Sequence, residues 1–474
     1  MRKPTVFLSF LTMALLICML FFTISIFKDE ALDGAMQITL LAAAAIASVI
    51  AVFYCRITWK TLERRVAQNM FDIAPAIIIL LLIGALAGSW MISGVIPTLI
   101  YYGLHIMHSN FFLISTCVIC CIVSVITGSS WTTIATIGVA LIGIGQVQGF
   151  STGWVAGAII SGAYFGDKMS PLSDTTVLAS TVTDTPLFTH IRYMLYTTVP
   201  SITIALIVYG IAGFSRELPD TDQITSFAQA IKNNFNVTPW LMIVPAITGV
   251  MIAKRFPPIV VLFASSLMAC IFSIIFQPHL LQAIAESADA GAIACAKGAL
   301  VSLFGNTQIE TGNETLNDLV STRGMGGMMS TIWLIICAVC FGGAMSASGM
   351  LSVVTGVFQL MMKGSVGTVA ATVASGLTLN VCTADQYISI VLNGDMFKDI
   401  YKKNGYENRL LSRTTEDSVT VTSVLIPWSS CGMTQATVLG VATLTYLPYC
   451  IFNIVSPFMS ILIAGIGYKI YRKS

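Results

Sequence analysis

Charged side chains are scarce in this sequence: Asp, Glu, Lys and Arg make up 10% of its 474 residues, against 56% hydrophobic ones. That balance excludes an ordinary soluble globular domain, in which about a quarter of the residues are charged. The net charge is only +2, so no basic surface for nucleic acid is implied. Histidine is rarer still, with four in the chain. His105, His108, His190 and His279 sit at the ends of apolar runs, where an interfacial position is expected. Neither HExxH nor GxSxG occurs, which removes two common hydrolase chemistries; the chain is not expected to be an enzyme or to need a cofactor. Cysteine is present 12 times, nearly always inside apolar runs. Cys117-Val-Ile-Cys120 and Cys337-Ala-Val-Cys340 would suggest zinc or redox work in a soluble loop. On apolar helices they read as small packing residues.

Long apolar runs are abundant. Segments approaching the 17 to 25 or so residues that span a bilayer are read at 6–27, 37–55, 71–88, 93–107, 109–127, 152–166, 193–213, 238–253, 258–277, 329–346, 350–362, 366–380 and 437–468, the last long enough for more than one. They predict an all-α polytopic membrane protein of about ten to fourteen crossings or half-crossings. The first run lacks a small-residue cleavage pattern and is expected to be retained as a helix. Arg2 and Lys3 precede it, Arg56, Lys60, Arg64 and Arg65 follow the second run, and Lys469, Arg472 and Lys473 close the chain. By the positive-inside tendency both termini are expected in the cytoplasm. Asn236-Val-Thr238 and Asn313-Glu-Thr315 match a glycosylation pattern that is frequent by chance.

The two halves of the chain resemble each other. Ile77 to Met107 and Thr331 to Met361 each reach a small-residue break, pass a Ser-Gly pair (Ser93-Gly94, Ser348-Gly349) and resume, at an offset of about 255 residues. Ser124 to Thr133 then corresponds to Ser375 to Ala384, and Asp174 to Leu178 to Gln435 to Leu439. The link Gly145 to Gly153 has no Lys or Arg, whereas its counterpart carries Lys398, Lys402, Lys403, Arg409 and Arg413. The first is therefore expected outside and the second inside, which makes the repeats inverted. Paired broken or re-entrant helices in inverted-topology repeats are a transporter signature. The expected organisation is N-terminal helices over 1–65, a first repeat over 66–190, linking helices and polar loops over 191–324, a second repeat over 325–447, and a C-terminal helix and cytoplasmic tail over 448–474.

The chemistry is expected at the breaks. Around Pro171 stand Asp167, Lys168, Ser170, Ser173, Asp174 and Thr175. Proline removes a backbone donor and disturbs the preceding turn, which offers oxygen at membrane depth. A hard cation such as Na+ takes several oxygen ligands, here expected at Asp174, Ser173 and Thr127, with Ser170, Ser129 and Thr175 nearby. A lone charge at a helix centre costs about 2.5 to 3.5 kcal/mol on insertion scales, so Lys168 is expected to neutralise Asp167 and leave Asp174 as the exchangeable carboxylate. The second repeat offers Asn380, Thr383, Asp385, Ser429, Ser430 and Thr434 as an opposing half-site. Glu416 and Asp417 follow the basic link and read as a solvated gate or helix start.

At GSSWTTIATIGVALIGIG (Gly128 to Gly145), GAYFGDKMSPLSDTT (Gly162 to Thr176), TADQYISIVLNG (Thr383 to Gly394), RTTEDSVTVTSVLIPWSSCG (Arg413 to Gly432) and ATVLGV (Ala436 to Val441), the chain resembles the NhaC family of bacterial sodium/proton antiporters. The resemblance covers about 65 to 445. It implies an ion-transporter-superfamily fold with scaffold and transport regions, a homodimer, and a bacterial inner membrane. It departs near Ser429, where the family pattern has Asn-Thr before the cysteine and this chain has Ser429-Ser430.

The leading functional expectation is Na+/H+ antiport, in which a membrane-buried aspartate carries either ion and the competition couples them. The alternative is Na+- or H+-coupled transport of a small organic anion or of an amino acid, held by hydroxyl and amide groups and half-helix N-termini; the resemblance implies malate- or lactate-like acids, which carriers of that family exchange. A channel would share the polar breaks but show uncoupled flux.

Overall fold

Backbone groups in lipid must be satisfied within their own segment, which makes helices the solution for apolar runs of this length. The computed structural model describes residues 2–27, 31, 34–215, 221–285 and 291–471. Arg472 and Lys473, counted above toward a cytoplasmic tail, lie outside them. Among the described residues there is no strand, and a single isolated bridge joins Thr307 to Thr322. Nine helices among the described residues are long and apolar enough to cross a membrane, or up to eleven when two bent pairs each count as one span.

The chain starts with α1 (Val6–Phe27) and α2 (Ala35–Val49), tied by the Thr23 and Thr39 hydroxyls at 2.7 Å. The 34-residue α3 (Trp59–Ile92) is about 51 Å long at 1.5 Å per residue. It exceeds the roughly 30 Å of a hydrocarbon core, and its first turns expose Lys60, Arg64 and Arg65. Then come α4 (Val95–Ile106), α5 (Phe112–Thr127), the short α6 (Ser130–Thr133), a π turn (Ile134–Gly138), α7 (Val139–Val147), α8 (Thr152–Met169), α9 (Asp174–Val182) and α10 (Leu187–Phe214). The middle of the chain holds α11 (Thr221–Asn234), α12 (Ile243–Ala253), α13 (Pro258–Phe276), α14 (Pro278–Ala285), α15 (Ala292–Phe304), α16 (Glu314–Val320) and α17 (Gly324–Gly327). The remainder comprises α18 (Met329–Ala347), α19 (Met350–Gln359), α20 (Gly364–Thr383), α21 (Gln386–Lys403), α22 (Asn408–Thr415), a π turn (Glu416–Thr420), α23 (Ser430–Leu439), α24 (Thr443–Tyr446) and α25 (Ile451–Ile466). The expected double segment over 437–468 is a bent pair, broken by 55°. Stretches absent from the span reading are helical as well, among them Ser130–Val147, where small and hydroxyl residues dilute the apolar pattern, and the short apolar α15.

The order of breaks recurs. The α3–α4 and α18–α19 turns both pass through a left-handed glycine, Gly94 (φ 86°) and Gly349 (φ 77°). Helix α5 ends at left-handed Gly128 and α20 at left-handed Ala384. A side chain then caps the next helix: Ser129 accepts from Thr132 N, and Asp385 from Ile388 N. Helices α9 and α23 begin alike, at Ser173 and Ser429.

Packing shows where each chain segment turns back. A Cβ on Gly145 would stand 2.5 Å from Val155 and 2.9 Å from Phe112. The start of α5, the end of α7 and the start of α8 therefore meet. At the other end Ser124 Oγ donates to Ala163 O at 2.5 Å, so α5 lies along α8 and α6–α7 returns as a hairpin. Close approach is possible because Gly162 lies against Cys117 O and the Cys120 Cβ, which puts that Cys-x-x-Cys pair in helix packing. The second hairpin, α20–α21, is tied by Thr372 and Tyr401 (2.9 Å) and by Thr383 and Ser389 (2.7 Å). Helix α20 lies along the α22 region, through Asn380 Nδ2 to Val419 O at 2.7 Å. The far end of α9 meets the open end of this second hairpin, where Asp184 pairs with Lys398 at 2.5 Å. The far end of α23 goes to the first, with Leu439 3.3 Å from a Cβ on Gly138.

Candidate functional site

Both helix breaks open onto one cavity of about 550 Å³. The first contributes Thr127, Ser129, Asp167, Asp174 and Thr175, and the second contributes Asp385 and Gln386. Helices α3 and α13 and the turn before α13 complete the wall and add Asp72 and Arg255. Four carboxylates (Asp72, Asp167, Asp174, Asp385) thus face one guanidinium. A cleft lined by one sign of charge concentrates the opposite ion.

Asp167 is the best-held carboxylate. It occupies the last turn of α8 and is 6% exposed. Its Oδ2 accepts from Ser130 Oγ at 2.6 Å and Ser130 N at 3.2 Å, and its Oδ1 accepts from Ser173 Oγ at 2.5 Å. The chain local to each partner explains this. Gly128 turns left-handed, Ser129 caps α6, and the Ser130 N–H at the first helical position is left pointing outward for an acceptor. Ser173 caps α9 and is shared with Thr175 Oγ1 at 2.9 Å. Ser170 donates to Val125 O at 2.9 Å and accepts from Leu172 N at 3.2 Å, fastening the Pro171 turn to α5. The expectation that the break leaves free carbonyl oxygen is corrected in part: Thr176 Oγ1 takes the Asp167 and Lys168 carbonyls at 3.2 and 3.1 Å.

Asp174 is exposed to the cavity rather than buried. Thr127 lines the cavity as well, with its hydroxyl bonded to Ser129 O at 3.2 Å and to the Thr133 hydroxyl at 3.1 Å. In the second break Asp385 is 2% exposed; its Oδ1 accepts from Ile388 N and its Oδ2 from Ser430 Oγ at 3.2 Å. Asn380, Thr383, Ser429 and Thr434 are buried behind this loop and do not line the cavity. Asn380 Nδ2 bonds Val419 O and Thr422 Oγ1, Thr383 Oγ1 bonds Asp385 O and the Ser389 hydroxyl, Ser429 Oγ bonds Ser423 O, and Thr434 Oγ1 bonds Ser430 O.

Four expectations about charge are overturned. Lys168 pairs with Asp417, not with its neighbour Asp167, because the side chain of Lys168 leaves α8 on the face that meets the Glu416–Thr420 π turn. Glu416 and Asp417 are 0% exposed, so neither is a solvated gate. Arg413, assigned to the basic cytoplasmic link, is also fully buried, since α22 packs along α20 rather than over the surface. His190 is fully buried and bonded to the Ser412 hydroxyl instead of interfacial; His105, His108 and His279 are exposed. Ser130, Asp72 and Arg413 were missed as site or network residues. The signal for Ser130 was its place directly after a helix cap, and for Arg413 the i,i+4 spacing to Asp417. For Asp72 nothing local marked it.

Two broken-helix elements around an acid-lined cavity in an apolar helical bundle define a multi-pass membrane transporter. The chain belongs to the Na+/H+ antiporter family, whose family model matches residues 162–468. It is 36% identical to the Na+/H+ antiporter NhaC of Bacillus subtilis, over 90% of each chain. It is 35% identical to the NhaC antiporter of Alkalihalophilus pseudofirmus, over 100% of this chain and 98% of that one. Similarity extends to the malate-2H+/Na+-lactate antiporter of Bacillus subtilis, 33% identical over 93% of this chain and 91% of that one.

Proposed function

We propose that this protein is a secondary active transporter that exchanges Na+ for H+ by alternating access, with Asp167 as the exchanging carboxylate and Asp174 as the residue that receives the ion from the cavity. The observation that carries this reading is the pair of broken elements meeting at one cavity with four carboxylates and one guanidinium. Hydroxyl groups donate or accept, so Ser130 and Ser173 can donate to an empty Asp167 and turn their oxygens to a bound cation. Thr127, Thr175 and Asp174 supply further oxygen toward the cavity. Na+ and H+ are cargo here, and no resident cofactor is invoked. A proton on the carboxylate and a cation beside it compete, and that competition couples the two flows.

The cavity would also admit a small organic ion, and one relative carries malate and lactate in its name. The excess of carboxylate disfavours an organic anion in this chain, because like charges repel in a low-dielectric cleft. The opposite courses of the two hairpins support an inverted arrangement of the two units, with α9 and α21 leading toward one face and α7 and α23 toward the other. Exposed basic residues at the start of α3 and the basic end of α21 support a cytoplasmic position for that face and, with Arg2, Lys3 and Lys469, for both termini. The family resemblance supports a homodimer in a bacterial inner membrane.

The test is proton movement in liposomes holding the purified protein, with Na+, Li+ and K+ compared under an imposed pH gradient. Na+-dependent proton movement is expected in the wild type and reduced in Asp167→Asn and Asp174→Asn. Its absence from the wild type would falsify the antiport reading, and uptake of a radiolabelled small acid or amino acid would replace it.

A further inference from the structure

Buried charge is concentrated in one knot beside the cavity but outside its wall. Lys168, Arg413, Glu416 and Asp417 are each 0% exposed, and none lines the cavity. Lys168 Nζ donates to Asp417 Oδ1, which also accepts from Thr197 Oγ1 of α10 at 3.1 Å. Arg413 Nε stands 3.9 Å from Asp417 Oδ2, and its guanidinium lies 4.5 Å over the Tyr193 ring. Asp417 is therefore a counter-ion shared by Lys168 from the first broken unit and Arg413 from the second.

A buried ion pair is a weak source of stability, since desolvation of both partners offsets their attraction and apolar replacements are often as stable. Its best-attested use is to fix one arrangement among several. Here the arrangement is specific. Lys168 follows Asp167 in the last turn of α8, and Asp417 follows Glu416 in the π turn. A parallel tie joins Thr175 Oγ1 to Glu416 Oε1 at 3.3 Å. Beyond Lys168 the helix ends at Ser170-Pro171, so no continuing helix holds that turn in place.

Resting on the reading of the cavity as an ion site, we propose that Lys168 and Asp417 are positioning residues for transport. Their pair holds the broken end of α8, and with it the Asp167 carboxylate between Ser130 and Ser173, against the π turn of the second unit.

Lys168→Met is the informative variant, made in a Glu416→Gln background: Asp417 keeps Arg413 and Thr197, and the one buried carboxylate that would lose its cation is neutralised. In the reconstituted full chain its apparent KM for Na+ is expected to rise about tenfold, the loss of one charge-assisted bond, while its thermal unfolding midpoint stays within a few degrees of wild type. Lys168→Arg is expected to recover the KM to within about threefold, since it restores the charge. A second readout is independent of transport. Leu172 lines the cavity in the turn after α8, and Leu172→Cys reports release of that turn through its rate of modification by a membrane-impermeant thiol reagent. With Lys168→Met added, that rate is expected to rise about tenfold, as a local opening would allow. A wild-type KM in Lys168→Met, a collapsed unfolding midpoint, failure of Lys168→Arg to recover, or unchanged labelling would each overturn the proposal. Absence of Na+-driven proton movement from the wild type would instead remove the antiport reading and leave the labelling comparison to decide the role of the pair.

Discussion

At the scale of single residues, burial and hydrogen bonding separate two aspartates that look equivalent in the sequence. Asp167 is enclosed and receives three donors, whereas Asp174 faces the cavity. Replacing Asp167 by Asn removes the charge those donors address. Bonds to a charged group contribute about 1.5 to 3 kcal/mol, so Na+ affinity, read as equilibrium Na+ binding to the purified protein, is expected to weaken roughly 10- to 100-fold, and Na+-driven proton movement is expected to be lost. Asp174→Asn should lose less, about threefold to tenfold, because its side chain is already partly hydrated. Ser130→Ala tests the donor that sequence reasoning passed over. It should raise the apparent KM for Na+ by about tenfold, the equivalent of a hydrogen bond to a charged group at roughly 1.5 kcal/mol, and an unchanged KM would exclude Ser130 from the site. Asp167, Asp174 and the serines around Pro171 were legible as a group, because charge and hydroxyls among apolar residues are conspicuous. Which aspartate is enclosed was not legible, since that depends on Ser130, 37 residues away from Asp167 in the chain.

At the scale of elements, the breaks depend on backbone turns as much as on polar side chains. Gly128 has φ 69°, and a Cβ there would lie 2.7 Å from the Leu172 Cβ. Gly128→Ala would carry the left-handed cost of about 1 to 2 kcal/mol for a non-glycine residue together with that clash. A lower unfolding midpoint in detergent is expected, along with weaker Na+ binding, since the same turn presents Ser129 and Ser130. An unaltered midpoint would show that the loop relaxes freely. The Ser-Gly turns and the dissolving helix ends were visible in sequence because left-handed positions and caps select particular residues. The π turn at Glu416–Thr420 was not. It follows a helix without any proline or glycine signal, and its residues read as a solvated helix start until α22 is packed along α20.

For the whole molecule, the acid excess around the cavity acts at a distance. Asp72, exposed on α3, contributes to it from outside the two broken loops. Asp72→Asn should raise the apparent KM for Na+ about twofold at low ionic strength. The difference should vanish when a non-transported cation brings ionic strength past about 0.15 M, where the Debye length is about 8 Å; a difference that persists at high salt would mean that Asp72 contacts the ion. By itself the sequence determined the membrane class, the helical content, the recurrence of broken segments and the family, because lipid imposes long apolar runs and breaks at depth require unusual residues. Only the tertiary structure decided the partners of the charges. Lys168 meets Asp417 across 249 positions, Arg413 leaves the surface, and His190 leaves the interface. Nothing local distinguishes a charge that will be solvated from one that will be paired inside, because the pairing exists only when two distant helices pack together.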